Sequence, residues 1–384
     1  ASDVYKRQIV PGVTPAALTS KDLSWYTTTT WNIGVDFGFF NNHLTGSADY
    51  FFRRTKGYLI SPVERFSSTL GNHIGRNGNT YIYGLPKIKS DDAFRRAGAE
   101  FFLNWKDRIG NVTYSVGANL TFYDELWEKN EAEDNAVALG NPNKRKTHVT
   151  IGQGGLVYLN EGLFRNSDEL LNAAIQDRGN AMMAGDMRFV DVNGDGVINE
   201  EDMVYDNKPR KSIMQWGIPF SLEWKAWSVE GLFQGSGPQY GLINASARGT
   251  GWGRIYYKDQ LDFYHPGNVD AKYPRADNSY GAWNGELNRA NSDFWRVNRT
   301  YARLKNLSIS YNLKQVLLKK IGWVGTARIG LTGTNLFTIC PSMKYGDPET
   351  GAVEDASAQA YPVTRTYSLV TVSYTHLTLP TIRL

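Results

Sequence analysis

Trp31-Asn-Ile-Gly-Val-Asp-Phe-Gly-Phe-Phe-Asn-Asn-His-Leu-Thr-Gly-Ser-Ala-Asp-Tyr50 decides the fold. Trp31, Ile33, Val35, Phe37 and Phe39 fall on one side, and Asn32, Gly34, Asp36 and Gly38 on the other. Side chains of an extended chain alternate between faces, so this is a strand with one apolar and one polar side. Asn41-Asn42 turns the chain. Leu44, Gly46, Ala48, Tyr50 and Phe52 then continue the apolar side, against Thr45, Ser47, Asp49 and Arg53. The stretch predicts a long antiparallel hairpin.

The pattern recurs outward from there. Ala97, Ala99, Phe101, Leu103 and Trp105 alternate with Gly98, Glu100, Phe102 and Asn104. A turn over 106–111 leads into Val112, Tyr114, Val116, Ala118, Leu120 and Phe122. Further strands are predicted at Ile213–Glu223 and Trp224–Gln234, through Leu307 to Leu313, through Ala327 to Gly333, and at Thr364–Val370. Long polar segments separate the hairpins at 61–92, 125–210 and about 236–292. Within the second, Ser167 is placed to cap a short helix, Asp168–Gln176, with Asp168 and Glu169 at its positive end.

With 384 residues, 41% hydrophobic and 13% aromatic, the chain can build a large core or a wide sheet. The formal charge of +4 is spread along it, and Lys144-Arg145-Lys146 reads as solvated loop, not as a nucleic-acid contact. Cys340 is the single cysteine, which excludes an internal disulfide framework. No run approaches the ~18 apolar residues of a spanning helix. No secretory signal opens the chain.

The two ends share a property of their own. Ala1-Ser-Asp-Val-Tyr-Lys-Arg-Gln8 can be encoded by DNA whose reverse complement, in one frame, reads Val-Ser-Tyr-Thr-His-Leu-Thr, which is Val372 to Thr378. That DNA resembles a transposon-end sequencing adapter. Residues 1–8 and 371–384 are therefore expected to be adapter-derived, with 9–370 an internal part of a longer reading frame.

Asp191-Val-Asn-Gly-Asp-Gly-Val-Ile-Asn-Glu-Glu-Asp202 interrupts the strands with a calcium-loop pattern. Asp191, Asn193, Asp195, Asn199 and Asp202 supply side-chain oxygens at loop positions 1, 3, 5, 9 and 12, and Val197 a carbonyl at position 7. Gly196 provides the sharp turn. A hard cation needs several oxygens from one short loop, and Ca2+ is the expected ligand. Position 12 carries Asp202 instead of the longer glutamate. The competing reading is an Asx-rich turn that caps itself. No long amphipathic helix follows, so an EF-hand sensor is not expected.

An alternating sheet can be a soluble sandwich or a membrane barrel. Three features favour the barrel. The strands reach the ~9–11 residues that a tilted membrane crossing needs. Trp31, Phe39, Phe40, Trp105, Phe122 and Tyr123 lie near strand ends, where aromatic girdles sit. Connections alternate between short and long, as periplasmic turns and extracellular loops do. The expected fold is all-β: an antiparallel transmembrane β-barrel segment with polar faces lining a wet lumen.

Asp293-Phe-Trp-Arg-Val-Asn-Arg-Thr-Tyr-Ala-Arg-Leu-Lys-Asn-Leu-Ser-Ile-Ser-Tyr-Asn-Leu313 resembles a strand of the SusC/RagA-type TonB-dependent transporters. Thr334-Asn-Leu-Phe-Thr338 resembles a strand end of that family, and Asp347-Pro-Glu349 and Tyr361-Pro362 followed by Arg365-Thr-Tyr367 resemble its closing segment. The 31–50 hairpin, and Gly185-Asp186 with the 191–202 loop, resemble two more of its motifs. The likeness runs over most of 20–370 in one order. It implies a barrel in the outer membrane of a Bacteroidetes-like Gram-negative cell, closed by an N-terminal plug, capped by a SusD-like surface lipoprotein and energised by TonB–ExbB–ExbD. It implies oligosaccharide, sometimes peptide, as cargo. The plug and TonB-contacting segment are absent from this chain.

Trp252, Tyr256, Tyr257 and Trp283 could stack on sugar rings from the long loops, or simply pack there. No enzyme is expected: His148 and His265 lack metal spacing, and Glu200-Glu201 reads as a solvated pair. The alternative is a soluble, calcium-stabilised carbohydrate-binding β module.

Overall fold

The computed structural model describes residues 23–60, 88–131, 142–145, 147, 156–176, 182–205, 208–210, 212–243, 248, 258–276, 288–321, 324–343, 346–349 and 363–375, and the backbone of 72–74 and 80–82. The expectations for 1–8, Lys146, His148, Trp252, Tyr256, Tyr257 and Trp283 lie outside the described residues.

Nine strands form one antiparallel sheet in chain order: β1 (Thr27–Phe39), β2 (Leu44–Lys56), β3 (Ala93–Ile109), β4 (Val112–Lys129), β5 (Met214–Trp224), β6 (Trp227–Ser236), β7 (Tyr301–Asn312), β8 (Val324–Ile339) and β9 (Thr366–Thr375). Register keeps like with like. Val35, Ala48, Phe101, Leu120, Trp216 and Gly235 stand in one row across six strands. The next row, on the opposite face, holds Gly34, Asp49, Glu100, Thr121, Gln215 and Ser236. A slip of one residue would exchange the faces, so the alternation fixes the pairing.

Among the described residues no element packs on the apolar face. Ile33, Leu331 and Leu369 are each 62–68% exposed. A soluble protein does not present apolar rows of this extent to water, whereas the outer wall of a barrel must present them to lipid. Aromatic side chains gather at its short-turn end, where Trp227 lies against Tyr311 with ring centroids 4.8 Å apart. Among the described residues no helix is long and apolar enough to cross a membrane.

Several boundaries differ from the sequence reading. The turn expected over 106–111 is only Gly110-Asn111, with Gly110 at φ 59°. Lys106, Asp107 and Arg108 stay paired with Ser115, Tyr114 and Thr113. Glycine reaches the left-handed backbone that the turn requires, and charged side chains do not end a strand whose tip leaves the membrane. The first hairpin turns through Phe40, Asn41 and Asn42, all at positive φ, and the third at Lys225-Ala226, with Lys225 at φ 53°. β7 carries a bulge at Lys305: Leu304 faces Phe233 and Phe337, while Asn306 faces Leu232 and Thr334. β8 absorbs its own extra residue at Asn335, φ 52°. β9 continues through 371–375, a segment read above as adapter-encoded, because extended pairing depends on the residues and not on their origin.

The long connections all leave from one end of the sheet. Those after β4 and β6 fold together into a loop module with its own apolar core: Val157, Tyr158, Leu163, Met187, Phe189, Ile198, Leu242 and Trp295. Two short ribbons brace it, Asn160–Leu163 with Met187–Phe189 and Tyr240–Leu242 with Arg296–Asn298. Its helix, α1 (Ser167–Leu171), is shorter than expected, and its cap is Asn166, not Ser167. Asn166 Oδ1 accepts the Glu169 N–H at 2.9 Å. The helix stops because Ile175 pairs instead with the 191–202 loop, donating to the Gly196 carbonyl and accepting from Ile198 N–H, both at 2.8 Å.

Candidate functional site at the loop end of the polar face

The 191–202 loop is wound by its own side chains. Asp191 accepts from Gly194 and Gly196 N–H at 2.7 Å, one on each carboxylate oxygen. Asp195 Oδ1 accepts from Val197 N–H at 2.8 Å, and Asn193 bridges to Asp195 through both ends of its amide. Gly194 and Gly196 adopt φ 75° and 81°, which the winding requires. Asn199 Oδ1 accepts from Glu201 N–H and caps the 3-10 turn Glu200–Asp202. Asp202 is fully buried, and its two oxygens accept from Val192 and Asn199 N–H.

The loop therefore gathers Asp191, Asn193 and Asp195 at one turn and commits Asp202 to holding the loop closed. A carboxylate oxygen that accepts one N–H keeps a second lone pair, so Asp191 and Asp195 retain capacity for a cation. Among the described residues no three His, Cys, Asp or Glu side chains converge as a metal cluster. A calcium ion here would draw on two carboxylates, the amide oxygens of Asn193 and Asn199, and the Val197 carbonyl. That mixed oxygen set suits Ca2+ and no softer metal.

Five residues upstream lies the module's polar hub. Asp186 is fully buried; its Oδ1 accepts from Arg275 Nε at 2.6 Å and Asn288 Nδ2 at 2.8 Å, and its Oδ2 from Met183 N–H at 2.9 Å. Gly185 sits at φ 93°, and a Cβ there would lie 2.3 Å from the Tyr264 ring. Asn288 Oδ1 in turn accepts from Met187 N–H. One dipeptide thus joins the segment after β4 to the segment after β6, about ninety to a hundred residues on. Spacing alone shows none of Arg275, Asn288 and Tyr264. Only the Gly185-Asp186 pair carried a signal.

Below the module, the polar face holds a pocket of about 820 Å³. Its floor is Asn119, Thr121, Gln215 and Gln234; its rim includes Arg210, Gln239, Arg299, Tyr301 and Glu349. The rim is latched. Arg303, 1% exposed, spreads its guanidinium over Thr338 Oγ1 (2.8 Å), Asp347 (2.5 Å) and Glu349 (2.6 Å). Lys305, brought in by the bulge, reaches both Glu349 oxygens at 3.0 Å. Arg299 and Gln239 hold the Pro348 carbonyl. The Arg-Leu-Lys and Asp-Pro-Glu motifs are thus the two halves of one ion-paired clasp, closed across 44 or 46 residues.

The module also perturbs its buried charges. Arg248 donates to the Ile243 and Arg289 carbonyls and to Asn291 Oδ1. Burial first, then the like charge of Arg210, lowers its pKa to about 10. Asp293 accepts Asn160 N–H at 2.8 Å, yet burial raises its pKa. His265 Nδ1 accepts Gly267 N–H at 3.1 Å inside a tight turn, and Glu200 and Glu201 are exposed.

No family model matches the chain. Relatives do. The chain is 25% identical over 374 residues to the TonB-dependent receptor SusC of Bacteroides thetaiotaomicron, covering 91% of this chain and 32% of that one. It is 23% identical over 359 residues to the TonB-dependent receptor P26 of Formosa agariphila, covering 88% and 32%. The solved RagAB peptide transporter superposes with a TM-score of 0.63 at 18% identity, over 92% of this chain and 36% of that chain. The chain spans about a third of the length of the curated relatives it matches. The ordered motifs, the outward apolar face of the sheet and these relatives agree: the chain is similar to a barrel segment of the SusC/RagA-type TonB-dependent receptors of the outer membrane.

Proposed function

We propose that this chain supplies part of the wall and loop end of a transporter that imports oligosaccharide, or peptide, across the outer membrane. The observation that carries the reading is the two-faced sheet: apolar rows open to lipid on one side, and a polar face with a roofed pocket on the other. RagAB is a peptide transporter, which supports the peptide option; the aromatic residues of the long loops support the oligosaccharide one. The outer membrane holds no ATP, so force comes from TonB–ExbB–ExbD through a plug outside this chain. A SusD-like lipoprotein caps the loop module from outside the cell. The barrel performs no bond chemistry in this scheme; its residues bind, shape and gate.

Deleting the complete receptor gene in its host tests this: uptake of labelled oligosaccharides or peptides should be lost. Release of the receptor from membranes by mild aqueous buffer favours the soluble carbohydrate-binding module instead. For the loop, we propose that Ca2+ braces 191–202 against Ile175. Chelation or Asp191→Ala should speed proteolysis within 160–210; unchanged cleavage, with no calcium in elemental analysis, refutes the ion.

A further inference from the structure

We propose that the loop end of the outward face carries a binding site for the phosphate of an outer-leaflet lipid headgroup, built on Arg54 and Arg95. The inference rests on the barrel's place in the membrane and not on its cargo. Counted from the short turn, the outward residues of β2 are Leu44, Gly46, Ala48, Tyr50 and Phe52, none of them charged. Eight residues of strand cover about 27 Å, or roughly 20 Å of height at a ~40° tilt, close to the ~25 Å apolar band of an outer-membrane barrel. The next outward position breaks the pattern. Arg54 stands directly opposite Arg95 of β3, and Lys56 follows one row further out, opposite Ala93. The charges thus begin where the apolar band ends, on the side of the long loops.

Like charges directly opposite each other destabilise a strand pair, so this pair needs anions. Arg54 has one: its Nε lies 2.6 Å from Glu128 Oε2. Arg95 is half-buried, and its Nε is closed off from solvent. It makes no hydrogen bond or ion pair among the described residues. Lys56 is exposed and equally without a partner among them. Asp124, opposite Ala97, is the other carboxylate on this face, and it makes no ion pair with Arg95. Lys129 and Asp91 balance each other at 3.3 Å. Arg54, Arg95 and Lys56 against Glu128 and Asp124 leave one positive charge. A guanidinium with no acceptor suits a phosphate, whose oxygens take paired N–H donors, and charge complementarity at this height selects the lipid headgroup. One residue along, Arg53 and Arg96 also stand opposite each other, but on the polar face, where Glu125 receives Arg96.

The test uses the complete receptor in detergent, with lipid binding read by native mass spectrometry. The probes are dioleoyl phosphatidate, the uncharged dioleoylglycerol and inorganic phosphate. Phosphatidate should bind about tenfold tighter than the diacylglycerol, as charge-assisted hydrogen bonds to one phosphate give. Arg95→Gln should abolish that preference and leave diacylglycerol binding as it was, and Arg95→Lys should keep part of it. Arg53→Gln, which removes the same charge from the other face, should change nothing. No preference in the wild-type receptor, an equal loss with Arg53→Gln, or equal weakening of both lipids by Arg95→Gln overturns the proposal. Full displacement of phosphatidate by inorganic phosphate would make this a free-anion site and overturn the lipid assignment. Release of the receptor from membranes by mild aqueous buffer would instead remove the membrane placement on which the site rests.

Discussion

In the sheet, Ile33, Leu331 and Leu369 lie open, while in the loop module Met187, Phe189 and Trp295 are at most 3% exposed. The same residue types thus do opposite things a short distance apart. The module obeys the rule for water: apolar side chains inward, and every buried charge held by partners, as Asp186 is by Arg275 and Asn288. The sheet obeys the rule for lipid: backbone groups paired strand to strand, apolar side chains outward, polar ones toward the lumen. The comparison teaches that this chain is built for two solvents.

The largest effect should come from the module. Asp186→Ala removes the fully buried carboxylate that receives Arg275, Asn288 and the Met183 N–H, and should cost about 3–5 kcal/mol. Limited proteolysis should then cut the 160–210 region while the strands keep their protection. If the sheet were lost as well, the two regions would be one cooperative unit and the contrast would fail.

Next comes the lipid face. Leu331→Arg, at the middle of β8, should destabilise the vesicle-inserted receptor by about 2–4 kcal/mol, read from denaturant unfolding. An exposed leucine in water tolerates the same change within about 0.5 kcal/mol. A near-zero result would therefore say that this face meets water.

A smaller effect, about 1 kcal/mol, is expected for Asn166→Ala, which removes the cap of α1. Hydrogen exchange at Glu169 reads it, and Ser167→Ala serves as the control that should do little.

The smallest concerns pH. Burial raises the folded pKa of Asp293 above its unfolded value, so the folded module holds this proton more tightly than the unfolded chain does. Its stability should be highest below the unfolded value, fall as pH rises through the folded one, and stay reduced above it. Asp293→Asn should flatten that slope in hydrogen exchange. An unchanged slope would place the titration elsewhere.

Much of the sheet was legible because its signal is local. Alternation along Trp31–Phe39 needs no knowledge of any other strand, and the Asn-Asn turn needs only its own backbone preferences. Turn boundaries were less legible: Lys106, Asp107 and Arg108 look like a turn by polarity, but extend the strand. The helix cap was misplaced by one residue because asparagine and serine both cap well and only geometry chooses. The 191–202 winding was visible in its Asx and Gly spacing, although the use of Asp202 as an internal brace was not.

By itself, then, the sequence determined the strands, their two faces, the short and long connections, and the acidic loop, since each depends on neighbours within a few residues. Only the tertiary structure decided that Arg303 and Lys305 clasp Asp347 and Glu349, that Asp186 joins two loops, and that Arg210 and Arg299 line one pocket. Those meetings span tens to more than a hundred residues. They follow from which strands lie side by side and which loops must therefore share one end of the sheet, and no local pattern encodes that.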